Sequence, residues 1–159
     1  VMTENRPYAR ILDLLRAADL RPTRQRLALA RLLFEKGDRH ITAEMLHEEA
    51  LAAQVRVSLA TVYNTLHQFT AAGLLREIVV DATRSYFDTN TSEHHHFFFE
   101  QAGRVEDIPG SEVVVPALPP PPHGTEIDRV DVIVRLKACK PKSFGFSQLP
   151  PLSGTIKKN

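Results

Sequence analysis

Cysteine is almost missing from this chain: 159 residues contain one, Cys139. No internal disulfide can form, and a structural zinc held by four cysteines of one chain is impossible. Such sparse thiol usage fits a reducing cytoplasm. No apolar run approaches the ~20 residues that cross a bilayer. The opening stretch VMTENRPYAR has no apolar segment of the secretory kind. A dominant charge sign is missing too. Twenty basic residues against 19 acidic ones leave a formal charge of +1. The total therefore makes no case for nucleic acid, and any such case must come from local clusters. What is present, 43% hydrophobic and 25% charged, is ordinary for a soluble globular protein with one or two small domains. The expectation is a cytoplasmic protein with no membrane partner.

The first 90 residues read as helices followed by a hairpin. Pro7 suits a first helical turn, and Ile11, Leu12 and Leu15 recur at helical spacing. Arg21-Pro22 interrupts, because a residue before proline avoids the helical region. A second helix carries Leu27, Ala30, Leu33 and Phe34 on one face, with Gly37 available to end it. Thr42 is an N-cap for a third helix striped by Leu46, Ala50 and Ala53, with Glu44 near its positive end. Ser58 caps a fourth, in which Leu59, Val62, Leu66 and Phe69 share a face, and Gly73 ends it. LLREIVV, the turn DATR and SYFD predict two antiparallel strands. That order is the order of a winged helix-turn-helix, with the fourth helix as the reading helix.

After Asn90 the pattern changes. HHHFFFE, RVEDI and RVDVIVRL predict strands. In the last, Val130, Val132, Val134 and Leu136 alternate with Asp131, Ile133, Arg135 and Lys137, the period of a half-buried strand. Five prolines in VVVPALPPPPHG exclude a regular helix between them. A three-stranded sheet of this size is weak alone, and pairing with a second copy would bury its open face. The expected organisation is α+β: a winged-helix domain over 1–90, a small α/β dimerisation and sensing domain over 91–137, and a flexible tail over 138–159.

Two clusters carry chemistry. Leu20–Gly37 holds Arg21, Arg24, Arg26, Arg31 and Lys36 against a single acid, Glu35. Clustered arginines suit phosphate contacts. The polar side of the fourth helix offers Thr61, Tyr63, Asn64 and His67 behind Ser58. Asn pairs bidentately with adenine, and aromatic or Thr methyl groups touch the thymine methyl. A solvated helix face is the plain alternative for either feature alone. The second cluster is the run TSEHHHFFFE. In a strand, His94 and His96 share a face and His95 points the other way. Asp88, Asp107 and His40 lie near by in sequence or in the expected topology. Imidazoles with carboxylates and no thiolate suit Fe(II), Mn(II) or Zn(II). The run could instead bind haem or be an exposed loop.

LRPTRQR, HITAEMLHEEA, VSLATVYNTLHQFTAAGLL and SYFDTNTSEHHHFF together resemble the ferric uptake regulator superfamily. DTNTSEHHHFF with DIP and EIDRVDVIVRL is most similar to its iron response regulator branch, Irr, of alphaproteobacteria. The resemblance covers roughly residues 8–137 and implies a homodimeric transcriptional repressor, not an enzyme. It would bind double-stranded DNA at a pseudo-palindromic, AT-rich operator and hold one divalent metal per chain (Fe, Mn or Zn) between its domains. The ligands would fall on His40, Asp88, His94, His96 and Asp107. DNA contacts would fall on Arg21, Arg24, Arg26, Ser58, Thr61, Tyr63 and Asn64, with Tyr63 at the bases and Arg21 at the minor groove or backbone. The branch also implies haem at His94, His95 and His96, competing with the metal, and control of iron and haem metabolism genes.

The chain departs from the wider pattern. FEQA, Phe99 to Ala102, stands where many relatives have a CxxC pair. Asn64 stands where many have arginine. VVVPALPPPP replaces a helix, no Cys-Pro haem motif occurs, and a second metal site at Glu93 and His95 lacks its further histidine near Val130. Rival readings are an Fe(II)- or Mn(II)-corepressed regulator indifferent to haem, a metal or haem binding module without DNA binding, and a metalloenzyme on the same cluster. For the last, no spare acid or nucleophile has an evident role.

Overall fold

The computed structural model describes residues 8–140. Pro7 and all of the expected tail beyond Lys140 lie outside the described residues. Ala138–Lys140 have no regular structure. The fold is α+β, as expected.

Four helices form where the periodicity places them. They are α1 (Ala9–Ala17), α2 (Arg24–Phe34), α3 (Ala43–Ala52) and α4 (Leu59–Ala71). Three begin at hydroxyl N-caps: Thr23 accepts from the Arg26 amide, Thr42 from Met45 and Ser58 from Thr61. Each cap satisfies one of the amides a helix start leaves without a partner. Past α4, Gly73 sits at φ +77°, a left-handed turn that costs glycine nothing. The chain is thereby reversed into the strand that begins at Arg76.

The buried faces of the helices meet in one core. Ile11, Leu15, Leu29, Leu33, Leu46, Val62, Leu66 and Phe69 are all essentially inaccessible to solvent. Ala53, expected on the α3 stripe, is instead exposed and caps the helix. The helix stops one residue earlier, and the buried alanines are Ala43 and Ala50.

A three-stranded antiparallel sheet flanks the helices, in the order β1 (His40–Ile41), β3 (Ser85–Asp88), β2 (Arg76–Val79). The hairpin β2–β3 was expected. The two-residue β1 was not, because two residues carry no readable period. Its register sets His40 opposite Asp88, and Asp88 is also opposite Arg76 on β2. A histidine, an aspartate and an arginine thus form one row across the sheet.

The second sheet has the order β5 (Arg104–Pro109), β4 (His94–Phe99), β6 (Ile133–Leu136). β4 pairs antiparallel with β5 and parallel with β6. The crossover from β5 to β6 passes through a 3-10 turn at Gly110–Glu112 and the exposed proline segment. Phe98, Val105 and Ile133 of this sheet pack with Ile78, Val80 and Tyr86 of the hairpin. β6 is shorter than predicted. Ile133 faces this inner cluster, whereas Val134 and Leu136 sit beside Phe97 and Phe99 on the outer face. Alternation marked two faces but could not say which one the rest of the chain covers.

Phe69 of α4 is, with Phe87 of β3, one of the two largest buried side chains of this core and is 0% exposed. Phe69→Ala is expected to cost about 3–5 kcal/mol of stability, read as a lowered thermal midpoint. An unchanged midpoint would contradict this packing.

Candidate metal centre and nucleic-acid interface

His40, Asp88, His94, His96 and Asp107 converge. One ligand atom from each lies within 4.8 Å of every other. Strand geometry produces this. Asp88 ends β3 with His40 beside it on β1. His94 and His96 project from one face of β4, and Asp107 is the partner of His96 on β5. The alternation of buried and half-buried residues along β4 is strict.

The three imidazoles aim at the same place. His94 Nε2, His96 Nε2 and His40 Nε2 lie 2.7, 3.1 and 3.2 Å from Asp88 Oδ2. The same atoms lie 3.4, 3.8 and 2.8 Å from Asp107 Oδ1. His40 Nε2 is buried and has no partner at hydrogen-bonding angles. One carboxylate oxygen has too few lone pairs for three ring donors. Ligands on opposite sides of a cation stand roughly 4–4.4 Å apart at bonds of about 2.0–2.2 Å, which this cluster accommodates.

His94 shows the fit most clearly. Its Nε2 faces Asp88 Oδ2 at 2.7 Å, and its Nδ1 faces the Ser92 carbonyl oxygen at 2.7 Å. A neutral imidazole has one ring hydrogen and here has acceptors at both ends. A cation bound by Nε2 and the carboxylates removes the conflict, leaving Nδ1–H to donate to Ser92. That carbonyl contact is the usual way a ligating imidazole is oriented. The residues present therefore fit a divalent metal of the Fe, Mn or Zn kind.

The electrostatics agree. Burial disfavours the His40 cation, but the Asp88 and Asp107 carboxylates outweigh it and raise its pKa above 6.5. Burial pushes the Asp88 carboxyl up, yet the His40 and His96 imidazoles and the Asn90 amide hold it well below its ordinary 3.8.

The three consecutive histidines do not form one site. His95 lies on the opposite face of β4, where its Nδ1 accepts from the Val132 amide. His94 and His96 are 4% and 1% exposed. A haem bound by either would need the Nε2 that already faces the carboxylates. His47, half-buried on α3, bonds the Val57 carbonyl oxygen at 3.1 Å. His67 lies on α4 between Tyr63 and Phe87.

The residues expected to meet DNA lie along α4 and the start of α2. Ser58 and Thr61 share a 2.9 Å hydroxyl contact at the head of α4. Tyr63 and Asn64 are exposed. Tyr63 Oη donates to Glu44 Oε1 of α3 at 2.6 Å. That bond lowers the Glu44 pKa and raises that of Tyr63, so the phenol stays protonated and aimed. Thr23, Gln25 and Arg26 of α2 line a shallow depression with Thr61, Asn64 and Gln68 of α4. Arg21 and Arg24 are exposed. Arg26 differs from the other two. Its Nε and Nη2 donate to Gln68 Oε1 at 3.1 and 2.8 Å, and its Nη1 donates to the Arg21 carbonyl oxygen at 3.0 Å. It braces α2 against α4 and positions Arg21. Gln25, Gln68 and Glu44 belong to the same surface, and in the sequence each reads as an ordinary polar residue. Only their adjacency in space marks them.

The comparisons with known proteins agree in kind. The profile of the ferric uptake regulator family matches residues 17–118. The peroxide-responsive repressor PerR of Staphylococcus aureus (strain Mu50) is 36% identical over 94 residues, which are 59% of this chain and 63% of that protein. The chain thus matches less than two thirds of that relative's length. The ferric uptake regulator of Pseudomonas aeruginosa with manganese superposes with a TM-score of 0.63 at 26% identity, over 81% of this chain and 98% of that one. The Vibrio cholerae regulator gives 0.62 at 22% identity over 79% and 98%, a likeness of fold.

Without metal, the cluster should give an uncommon pH profile. The contribution of Asp88, whose pKa is lowered, is present above pH 3.8 and lost as pH falls. That of His40, whose pKa is raised, is present below pH 6.5 and lost as pH rises through its folded value. Both act between these values. Chelator-treated protein should therefore melt at a higher temperature at pH 5.5 than at pH 8, and Asp88→Asn should reduce the difference. Equal midpoints in wild type would refute the assignment.

Proposed function

The chain belongs to the ferric uptake regulator family, and we propose that it acts there as a homodimeric, metal-responsive, DNA-binding transcriptional repressor. The observation that carries this is the convergence of three imidazoles and two carboxylates at a point that also joins the two sheets. A polar, arginine-flanked reading helix lies elsewhere on the same chain.

His40, Asp88, His94, His96 and Asp107 would hold the metal. When bound, it supplies positive charge against two carboxylates and a fixed arrangement of their donors. Everything else is done by the chain's own residues. His40 lies two residues before Thr42, the cap of α3, and Asp88 ends the hairpin that follows α4. His94, His96 and Asp107 belong to the second sheet. Drawing the five donors together fixes the helix-turn-helix relative to that sheet. The sheet's outer face carries Phe97, Phe99, Val134 and Leu136, the face a second copy would cover. Metal state then sets how two α4 helices present themselves to successive major grooves of a pseudo-palindromic, AT-rich site. Tyr63, Asn64 and Thr61 would read bases, with Arg21 and Arg24 at phosphates.

The finer reading is a regulator of the Irr type, controlling iron and haem metabolism genes. Its support is the HHH run within DTNTSEHHHFF. In this reading haem iron competes for the Nε2 atoms of His94 and His96, so metal loading weakens haem binding. The test is retardation of an AT-rich promoter pool by the full chain, with and without Mn(II) and with and without haem. Metal-dependent binding lost with haem supports the Irr reading. Metal-dependent binding indifferent to haem supports an Fe(II)- or Mn(II)-corepressed regulator. Binding that ignores both sinks the metal-responsive reading, and no DNA binding sinks regulation altogether.

Three outcomes follow in quantity. Mn(II) affinity should rise from pH 6 to pH 8 by calorimetric titration, because ligating imidazoles must give up protons. An affinity that falls over this range would exclude imidazole ligation. Asn64→Ala should cost about 1–3 kcal/mol of discrimination at one base pair, seen in competition with single-base operator variants. Arg24→Ala should weaken all sequences alike and lower the salt slope by about 1.

A further inference from the structure

An exposed carboxylate, Glu44, stands on the face proposed to meet DNA, a polyanion that repels it. Its place there is well defined. Glu44 lies in the first turn of α3, and its Oε1 accepts the Tyr63 hydroxyl hydrogen from α4 at 2.6 Å. The phenol, the Glu44 backbone amide and the Thr42 hydroxyl all hold the carboxyl below its ordinary pKa, so it is an acceptor with no hydrogen to give. The Tyr63 ring is held separately. It stacks on His67, one turn further along α4, with centroids 6.3 Å apart, and His67 meets Phe87 of β3 edge-on at 5.6 Å. One helix holds the hydroxyl and the other holds the ring. Tyr63 is therefore aimed although it is 37% exposed.

We propose that Glu44 is a specificity-determining residue: by taking the Tyr63 hydrogen it makes the phenol an acceptor toward the bases and excludes guanine where Tyr63 reads. The inference rests on the DNA-binding reading above. A tyrosine hydroxyl has one hydrogen and oxygen lone pairs. With the hydrogen committed to a carboxylate, only lone pairs are left for the major groove. Donation to an ion also polarises the hydroxyl and strengthens it as an acceptor.

Adenine and cytosine present amino donors in the major groove, N6 and N4, and either can donate to Tyr63 Oη. Guanine presents O6 and N7, both acceptors. It sets lone pair against lone pair, with the Glu44 charge behind. Thymine also shows an acceptor, O4, but beside it a methyl that can lie against the ring. The pair thus tolerates three bases and rejects one. Asn64, the next residue, both donates and accepts and supplies no such exclusion. Glu44 acts through Tyr63 and needs no base contact of its own.

The test uses the full chain with Mn(II) and a library of duplexes carrying a randomised segment. Bound duplexes are separated by retardation and sequenced. In wild type, one position should be depleted of guanine by a factor in the ~5–150-fold range of single-base discrimination. Tyr63→Phe should lift that depletion, which identifies the position. Glu44→Ala should lift it too, because the freed hydroxyl can donate to O6 or N7. Losing the negative charge also raises affinity for every sequence, but a uniform rise leaves base frequencies alone. In the Tyr63→Phe background, Glu44→Ala should change the frequencies no further. Ultraviolet titration gives a readout without DNA. The Tyr63 phenol, which Glu44 holds above its ordinary pKa, should return toward that value in Glu44→Ala, and Tyr63→Phe identifies its signal among the three tyrosines. The proposal is overturned by a wild type that admits guanine everywhere, by a Glu44→Ala profile that still excludes it, by an equal effect of Glu44→Ala without the Tyr63 hydroxyl, or by an unmoved phenol. A wild type that retards no duplex sinks the DNA-binding reading itself, and this inference with it.

Discussion

A carboxylate with no exposure to water, Asp88, faces three imidazoles at 2.7, 3.1 and 3.2 Å through a single oxygen. Isolated burial of a carboxylate is very unfavourable, and here it is offset because imidazoles reach it from two strands, β1 and β4, and an amide from the turn at Asn90. Those donors explain much of the architecture. The His40 contact gives a reason for a two-residue strand to stand beside β3. The His94 and His96 contacts require β4 to present its inner face to the end of the hairpin. The Asn90 amide, bonded to Asp88 Oδ1 at 2.8 Å, fixes the turn between the sheets. Removing one partner would leave charge stranded, so the cluster resists piecemeal change.

Around that polar point the two sheets share apolar surface. Ile78, Val80 and Tyr86 come from the hairpin, and Phe98, Val105 and Ile133 come from the second sheet. Tyr86 also donates from its hydroxyl to the Gly103 carbonyl oxygen at 2.5 Å, closing the β4–β5 turn onto the hairpin. Arg84 and Arg135 lie over the Phe98 ring at 5.1 and 5.6 Å. The hairpin thus has two roles. Beside α4 it is positioned as a wing, and its other side is core for the second sheet. Movement at the cluster therefore has a packed route toward the reading helix.

Much of this was legible in the sequence. The hydroxyl caps Thr42 and Ser58, the apolar stripe of α4 and the alternation of His94, His96 and Phe98 each follow from a period or a local bond. The grouping of His40, Asp88 and Asp107 with the histidines came in part from family resemblance, since residues 67 positions apart share no local pattern. What could not be read depends on pairing in space. β1 is too short for a period. The phase of β6 is decided by which face the hairpin covers. The commitment of Arg26 to Gln68, 42 residues away, and of Arg76 to Asp131, 55 residues away, leaves no mark in composition. Arg26 looked like one more cation in a basic stretch, and Arg76 was not distinguished within LLREIVV.

One consequence follows from the second sheet. Its outer face carries Phe97, Phe99, Val134 and Leu136, and the chain has no cysteine with which to fasten the sheet internally. In the proposed dimer, covering that face is then the work of the second copy alone, and association follows mass action. Protein abundance becomes a second input beside the metal. Under the proposed function, a cell that halved its supply of the chain would weaken repression by dilution before any ligand left the site, and synthesis and turnover would tune the same genes as the metal.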